Sequence, residues 1–279
     1  MSGVVGVPLP AMRLGDPRLT RMLSAALFVS LFMLLACGGG GNTSASGPLS
    51  GNWQIALNQT EPPPGGPDVK TESGFLMQSG NSLAGGVLLS GATLCPGLGT
   101  ASGTAIGSNV AITVDQIAQT VTLTGSVTSD GTSMAGVYSI LASGCGASTS
   151  GTFAATPVKP ISGSFQATFT SGEFIGTVYS FAGTLTQGPN LGMSSATLSG
   201  TMTSTNAPCI QNFSIAGQVS GTSVVFNFLA SDGSSQGQYR GTTTTDGTTL
   251  TGTYIFLAQS NGCYGDAGTV TMAFQPSST

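Results

Sequence analysis

Asp130-Gly131-Thr132-Ser133-Met134-Ala135-Gly136-Val137-Tyr138 recurs 116 residues later as Asp246-Gly247-Thr248-Thr249-Leu250-Thr251-Gly252-Thr253-Tyr254. Each copy opens on Asp-Gly, a tight-turn signal because Gly accepts the positive φ such turns need. Each copy then alternates. Met134, Gly136 and Tyr138 share one parity, as do Leu250, Gly252 and Tyr254. Period two is the mark of an antiparallel strand with one buried face. The nonapeptide therefore reads as a turn running into a strand, present twice.

Working outward, the rest of the chain repeats in the same order. Ser50-Gly51-Asn52-Trp53-Gln54 returns 112 residues on as Ser162-Gly163-Ser164-Phe165-Gln166; Cys95 matches Cys209 at an offset of 114, and Cys145 matches Cys263 at 118. A slowly drifting offset is what small loop insertions in a duplicated unit produce. Further alternating runs lie at Val110-Ile112-Val114, Val121-Leu123-Val127 and Val224-Phe226-Phe228. No stretch of helical period follows residue 37. We count about eight short strands in each unit of about 110 residues. In the first unit they begin near residues 51, 74, 83, 100, 109, 119, 132 and 150. Short connections favour up-and-down neighbours, and eight strands suffice to close a sheet and remove its edges. The expected fold is all-β: two tandem antiparallel eight-stranded β-barrel-like domains, with two β-sandwiches as the alternative. Residues 50–156 form the first domain and 161–279 the second. Residues 157–160 join them, since Pro157 and Pro160 interrupt a strand.

Composition excludes several function classes. Only 6% of the 279 residues are charged and none is His. Typical soluble domains carry about 25% charged residues, so Ser, Thr, Asn, Gln and Gly must supply this surface. Six cations are too few to neutralise a phosphate backbone, which leaves no nucleic-acid partner. Without His, the commonest general base and metal ligand is missing. Lys70 and Lys159 lie in loop-like, Pro-flanked sequence. Glu61, Asp68 and Glu72 flank Pro62-Pro63-Pro64-Gly65-Gly66-Pro67 and read as a solvated loop. Asp130, Asp232 and Asp246 occupy turns, and Asp115, Glu173 and Asp266 stand isolated. No metal-ligand spacing or phosphate-cradling motif is present, so the expectation is a non-enzymatic chain with no cofactor and no metal.

Arg13, Arg18 and Arg21 precede the apolar run from Met22 to Leu35, whose 14 residues fall short of the ~20 needed to span a bilayer. Basic flank, short apolar run and small residue describe a secretory signal. The run ends Leu34-Leu35-Ala36-Cys37, which resembles the lipobox of bacterial lipoprotein precursors. That resemblance implies cleavage of residues 1–36 and lipidation of Cys37, with Met12 or Met22 as alternative start sites. It also implies an exported protein held to the cell envelope by its lipid. Gly38 in place of Asp leans towards the outer membrane over the inner. Residues 37–49, opening Gly38-Gly39-Gly40-Gly41, make a flexible tether reaching roughly 20 Å. Past Cys37 remain three cations and nine acids, so attachment comes from lipid rather than a basic patch.

The other four cysteines fall two per repeat, in an oxidising compartment. Equivalent cysteines of self-contained units should pair within each unit, giving Cys95–Cys145 and Cys209–Cys263. Each such bridge would contribute about 4 kcal/mol in the chain-entropy picture.

Gly51-Asn52-Trp53 resembles the Gly-x-Trp opening of lipocalins and avidins, in which the Trp packs across one end of an eight-stranded barrel. The resemblance covers one tripeptide and the strand count, and the second unit departs from it with Phe165. The aromatics Trp53, Tyr138, Phe165 and Tyr254 are candidates to line a cavity for a small neutral or apolar ligand. The alternative function is a structural or adhesion-like surface protein contacting a protein or glycan partner.

Overall fold

The computed structural model describes residues 48–60, 70–90, 97–142, 148–190, 194–204, 206–207, 211–231, 233–257 and 265–275. Cys37 with the signal and the tether up to residue 47, and Cys95, Cys145, Cys209 and Cys263 with their proposed bridges, lie outside the described residues; Leu49, placed in the tether by the sequence reading, is buried against the first barrel. Every described element is a strand. The first eight are β1 (Gly51–Gln59), β2 (Lys70–Ser79), β3 (Ser82–Ser90), β4 (Gly97–Ile106), β5 (Asn109–Gln116), β6 (Gln119–Val127), β7 (Met134–Ala142) and β8 (Thr149–Val158). The second eight are β9 (Ser162–Ser171), β10 (Val178–Gln187), β11 (Ala196–Ser204), β12 (Asn212–Ser220), β13 (Ser223–Leu229), β14 (Ser235–Thr243), β15 (Thr249–Phe256) and β16 (Ala267–Phe274). Each set pairs antiparallel in chain order and closes on itself, β1 on β8 and β9 on β16. The molecule is two tandem up-and-down barrels, and full closure leaves neither with an unpaired edge.

Side chains of alternate parity point into each barrel, as the pleat requires. Trp53, Ile55 and Leu57 of β1 do so in the first barrel, and Phe165, Ala167 and Phe169 of β9 in the second. The ladders share one register. Trp53 pairs with Gly74 and Phe165 with Gly183, and every later strand can be matched across the two barrels from that point. The paired glycines Gly125–Gly136 and Gly241–Gly252 sit where strands cross closely. A Cβ at any of the four would land on a neighbouring carbonyl oxygen.

Two segments differ from the sequence expectation. β8 continues through Pro157 to Val158, with Pro157 opposite Trp53. Proline is tolerated there because it stands near the strand's last residue, where a missing N–H costs little of the ladder. β2 begins at Lys70, four residues before the expected start, so Lys70 and Glu72 are strand residues and not part of a solvated loop.

The barrels touch along the outer face of β1 and β2. Asn52 donates from Nδ2 to the Gly221 carbonyl at 2.8 Å and accepts from the Gly221 N–H at 2.7 Å. The Gln54 side-chain oxygen accepts from the Thr222 N–H and hydroxyl at 3.0 and 3.1 Å. Ser73 and Ser220 share a hydroxyl contact of 2.9 Å, and Phe75 packs with the core of the second barrel.

Candidate functional site

Both barrels are closed at the end where the chain enters them, and in the same way. The Trp53 indole donates to the Leu49 carbonyl at 3.0 Å, while the Leu49 N–H donates to Gln78 Oε1 at 3.1 Å. In the second barrel the Ile161 N–H donates to Gln187 Oε1 at 3.1 Å, and Phe165 packs tilted against Phe274 with centroids 5.5 Å apart. Two of the four aromatic candidates, Trp53 and Phe165, thus sit at the closed ends.

At the opposite end the barrels diverge. In the second, Phe169, Phe181, Phe213, Phe228 and Phe256 form one mutual cluster, with successive centroids 4.8 to 6.4 Å apart. Tyr254 joins it at 4.9 Å from Phe169. The polar groups beside this cluster are satisfied. Fully buried Asp266 accepts from the Ser171 hydroxyl at 2.5 Å and the Tyr254 hydroxyl at 3.0 Å. Burial, reinforced by the Asp266 charge, raises the phenols of Tyr254 and Tyr179 and keeps them protonated. Asp266 is therefore a partnered core residue, where the sequence left it isolated.

Carried through the shared register, the five phenylalanine positions of the second barrel are Leu57, Glu72, Gly99, Val114 and Ile140 in the first. The ring cluster has no counterpart there. Smaller aliphatic side chains, a glycine and a carboxyl group occupy its place. Tyr138 takes the position of Tyr254, and Lys70 that of Tyr179.

Glu72 is 0% exposed, and among the described residues neither carboxyl oxygen has a hydrogen-bond partner. Its cross-strand neighbours are Ile55 and Leu89. Burial alone pushes its pKa up to about 8, because charging a carboxyl without a donor in apolar surroundings is costly. Lys70 is two residues away on the same inner face, but its ammonium turns to the mouth. There it donates to Gln59 Oε1 at 3.3 Å and Thr149 Oγ1 at 3.5 Å. Above it, Gln59, Thr60 and Ser148–Ser150 line a polar cleft of about 330 Å³. Outside the cleft, at the same end, stand Leu98, Ile117 and Leu141, 66%, 104% and 67% exposed. This end of the barrel thus carries exposed apolar side chains, a polar cleft and, below them, a buried acid. Charged residues on β2 carried no signal for it, because Lys-Thr-Glu beside a proline-rich stretch reads as loop.

No protein-family model matches this chain, and no curated protein does. Two solved structures are similar to it. One is a protein of unknown function of the DUF3598 family from Nostoc punctiforme, at 11% identity and a TM-score of 0.22, covering 85% of this chain and 100% of that one. The other, named for AttH, is from Nitrosomonas europaea, at 11% identity and a TM-score of 0.19, covering 85% of this chain and 98% of that one. Values of this size assign neither a family nor a function.

Proposed function

We propose that the chain is an exported, lipid-anchored binding protein whose first barrel holds a small, mainly apolar ligand and whose second barrel is a packed support. The observation that carries this reading is the contrast between the barrels. One register, built twice, is filled by a ring cluster in the second copy and left with small side chains and an unpartnered acid in the first. Proteins rarely keep a buried polar group without a partner, and a titratable group so displaced is a site candidate on physical grounds. The anchoring half of the proposal rests on Leu34-Leu35-Ala36-Cys37.

The protein is read as non-catalytic. The chain has no His, and the two acids buried among the described residues, Glu72 and Asp266, stand in different barrels, so they form no carboxylate pair of the kind glycoside hydrolysis uses.

Native mass spectrometry of the protein purified from its host, with thermal shifts against lipophilic probes, tests the reading. A bound adduct, or a shift lost in the doubly filled variant Glu72→Phe, Val114→Phe, supports it. Absence of both adduct and shift would overturn it. Mass spectrometry of the mature N-terminus tests the anchor, which an unmodified Cys37 would refute. A second reading, a surface protein gripping a partner, is favoured by exposed Phe174, Ile175 and Val178 in and beside the β9–β10 connection. It predicts that partner binding falls when Ile175 becomes Asp while probe binding is unchanged.

A further inference from the structure

We infer that the ligand of the first barrel carries a protonated amine on an apolar body, and that the ammonium seats against the Glu72 carboxylate inside the barrel. The inference rests on the ligand-binding reading above. What the interior lacks is a donor to Glu72, since both its oxygens are unpartnered among the described residues. A ligand hydroxyl would supply one hydrogen bond. An ammonium supplies several, together with the charge that makes an ionised carboxyl tolerable away from water.

Among the described residues, nothing else facing Glu72 competes for that role. β1 and β3, which flank it, carry no charged residue. Of β4 to β8 only β5 does, and its Asp115 is exposed. The titratable groups on the inner wall are then Lys70, held at the mouth by Gln59 and Thr149, and the phenol of Tyr138. The apolar body is indicated by exposed Leu98, Ile117 and Leu141 at this end of the barrel and by the aliphatic inner wall around Glu72. The excess of acids over cations favours approach of a cation over an anion.

Binding moves one proton. Glu72 is protonated in the empty barrel at neutral pH, its pKa lying at about 8. Pairing with an ammonium requires the carboxylate, so the Glu72 O–H proton passes to solvent as the ligand enters. No covalent bond to the ligand forms. Affinity for an amine should therefore rise by about tenfold per pH unit towards pH 8 and level off above it.

Isothermal titration of the full chain with n-octylamine, n-octanol and octanoate, in two buffers of different ionisation heat, is the test. The expected result is octylamine bound at least about tenfold more tightly than octanol, with about one proton released per ligand below pH 8. Glu72→Gln should lose both the amine preference and the proton release while keeping octanol binding. Equal binding of amine and alcohol without a pH slope, tightest binding of octanoate, or an unchanged slope in Glu72→Gln would overturn the amine assignment and leave the binding barrel standing. Failure of all three probes to bind the unaltered protein would instead count against the binding barrel itself.

Discussion

Glu72 sets the pH behaviour of the free protein as well as its proposed selectivity. In the unfolded chain its carboxyl titrates at the ordinary value of 4.5, and in the barrel at about 8. Between those values the folded state holds a proton that the unfolded state has lost. Stability is thus greatest below the unfolded pKa and falls as pH rises, by about 1.4 kcal/mol per pH unit, until it levels off near the folded pKa. Asp130 and Asp246 act with the opposite sign. Each accepts from two Thr hydroxyls and a backbone N–H, which lowers its pKa from 3.8 to about 2. Their contribution is present above the unfolded value and is lost as pH falls towards 2. The two signs place the stability maximum at about pH 4–5. Urea midpoints measured from pH 3 to pH 9 check this, and Glu72→Leu should remove the decline above pH 5. A midpoint that rises from pH 5 to pH 8 in the unaltered protein would contradict the burial of an unpaired Glu72.

At the scale of the element, the two Asp-Gly turns behave as one device used twice. Gly131 and Gly247 have φ of 70° and 71°. A Cβ at Gly131 would stand 3.1 Å from Pro48 Cβ, and one at Gly247 would stand 3.0 Å from the carbonyl oxygens of Lys159 and Pro160. Gly131→Ala and Gly247→Ala should each cost about 1 kcal/mol or more, through strain and crowding together, read as lowered denaturant midpoints. A neutral result at either would mean that the turn adapts and the repeat is not symmetric there. These turns were legible in the sequence because turn chemistry is local, and most strand starts were legible for the same reason. In the first barrel β1, β5 and β6 begin at the residues expected, and β3 and β8 one residue earlier. The start of β2 was not legible. Its Lys70 and Glu72 occupy inward positions that period-two reading reserves for apolar residues, so the pattern broke where the candidate site lies. A local conflict of that kind is expected where function displaces packing. The partners of Asp266 were equally hidden, since Ser171 stands 95 positions away and no local pattern links them.

Across the whole molecule, two copies of one unit were made into an asymmetric pair. Asn52, Ser73 and Phe75 lie buried between the barrels, whereas their register equivalents Ser164, Ala182 and Thr184 lie on the outer wall of the second barrel, the first and last exposed and Ala182 half-buried. The contact is seated on the outer face of β2, directly behind Glu72, so the packed barrel braces the strand that carries the acid. Gly221 fits this joint for two reasons. Its φ is 54°, and a Cβ there would strike the Gln54 and Ser73 side chains. Asn52→Ala removes both hydrogen bonds to Gly221 and leaves the buried backbone N–H of that turn without its partner, a loss of about 1–3 kcal/mol. Phe75→Ala opens a cavity at the same joint and costs about 3–5 kcal/mol. If the joint couples the barrels, the unaltered protein unfolds in a single calorimetric transition, and Asn52→Ala with Phe75→Ala splits it into two, the transition of the aromatic-packed second barrel lying higher. Ligand-induced stabilisation should then move only the lower transition, because a ligand raises the stability of the unit that binds it. Two transitions already resolved in the unaltered protein would show that the barrels are independent and that the contact behind Glu72 does not brace it.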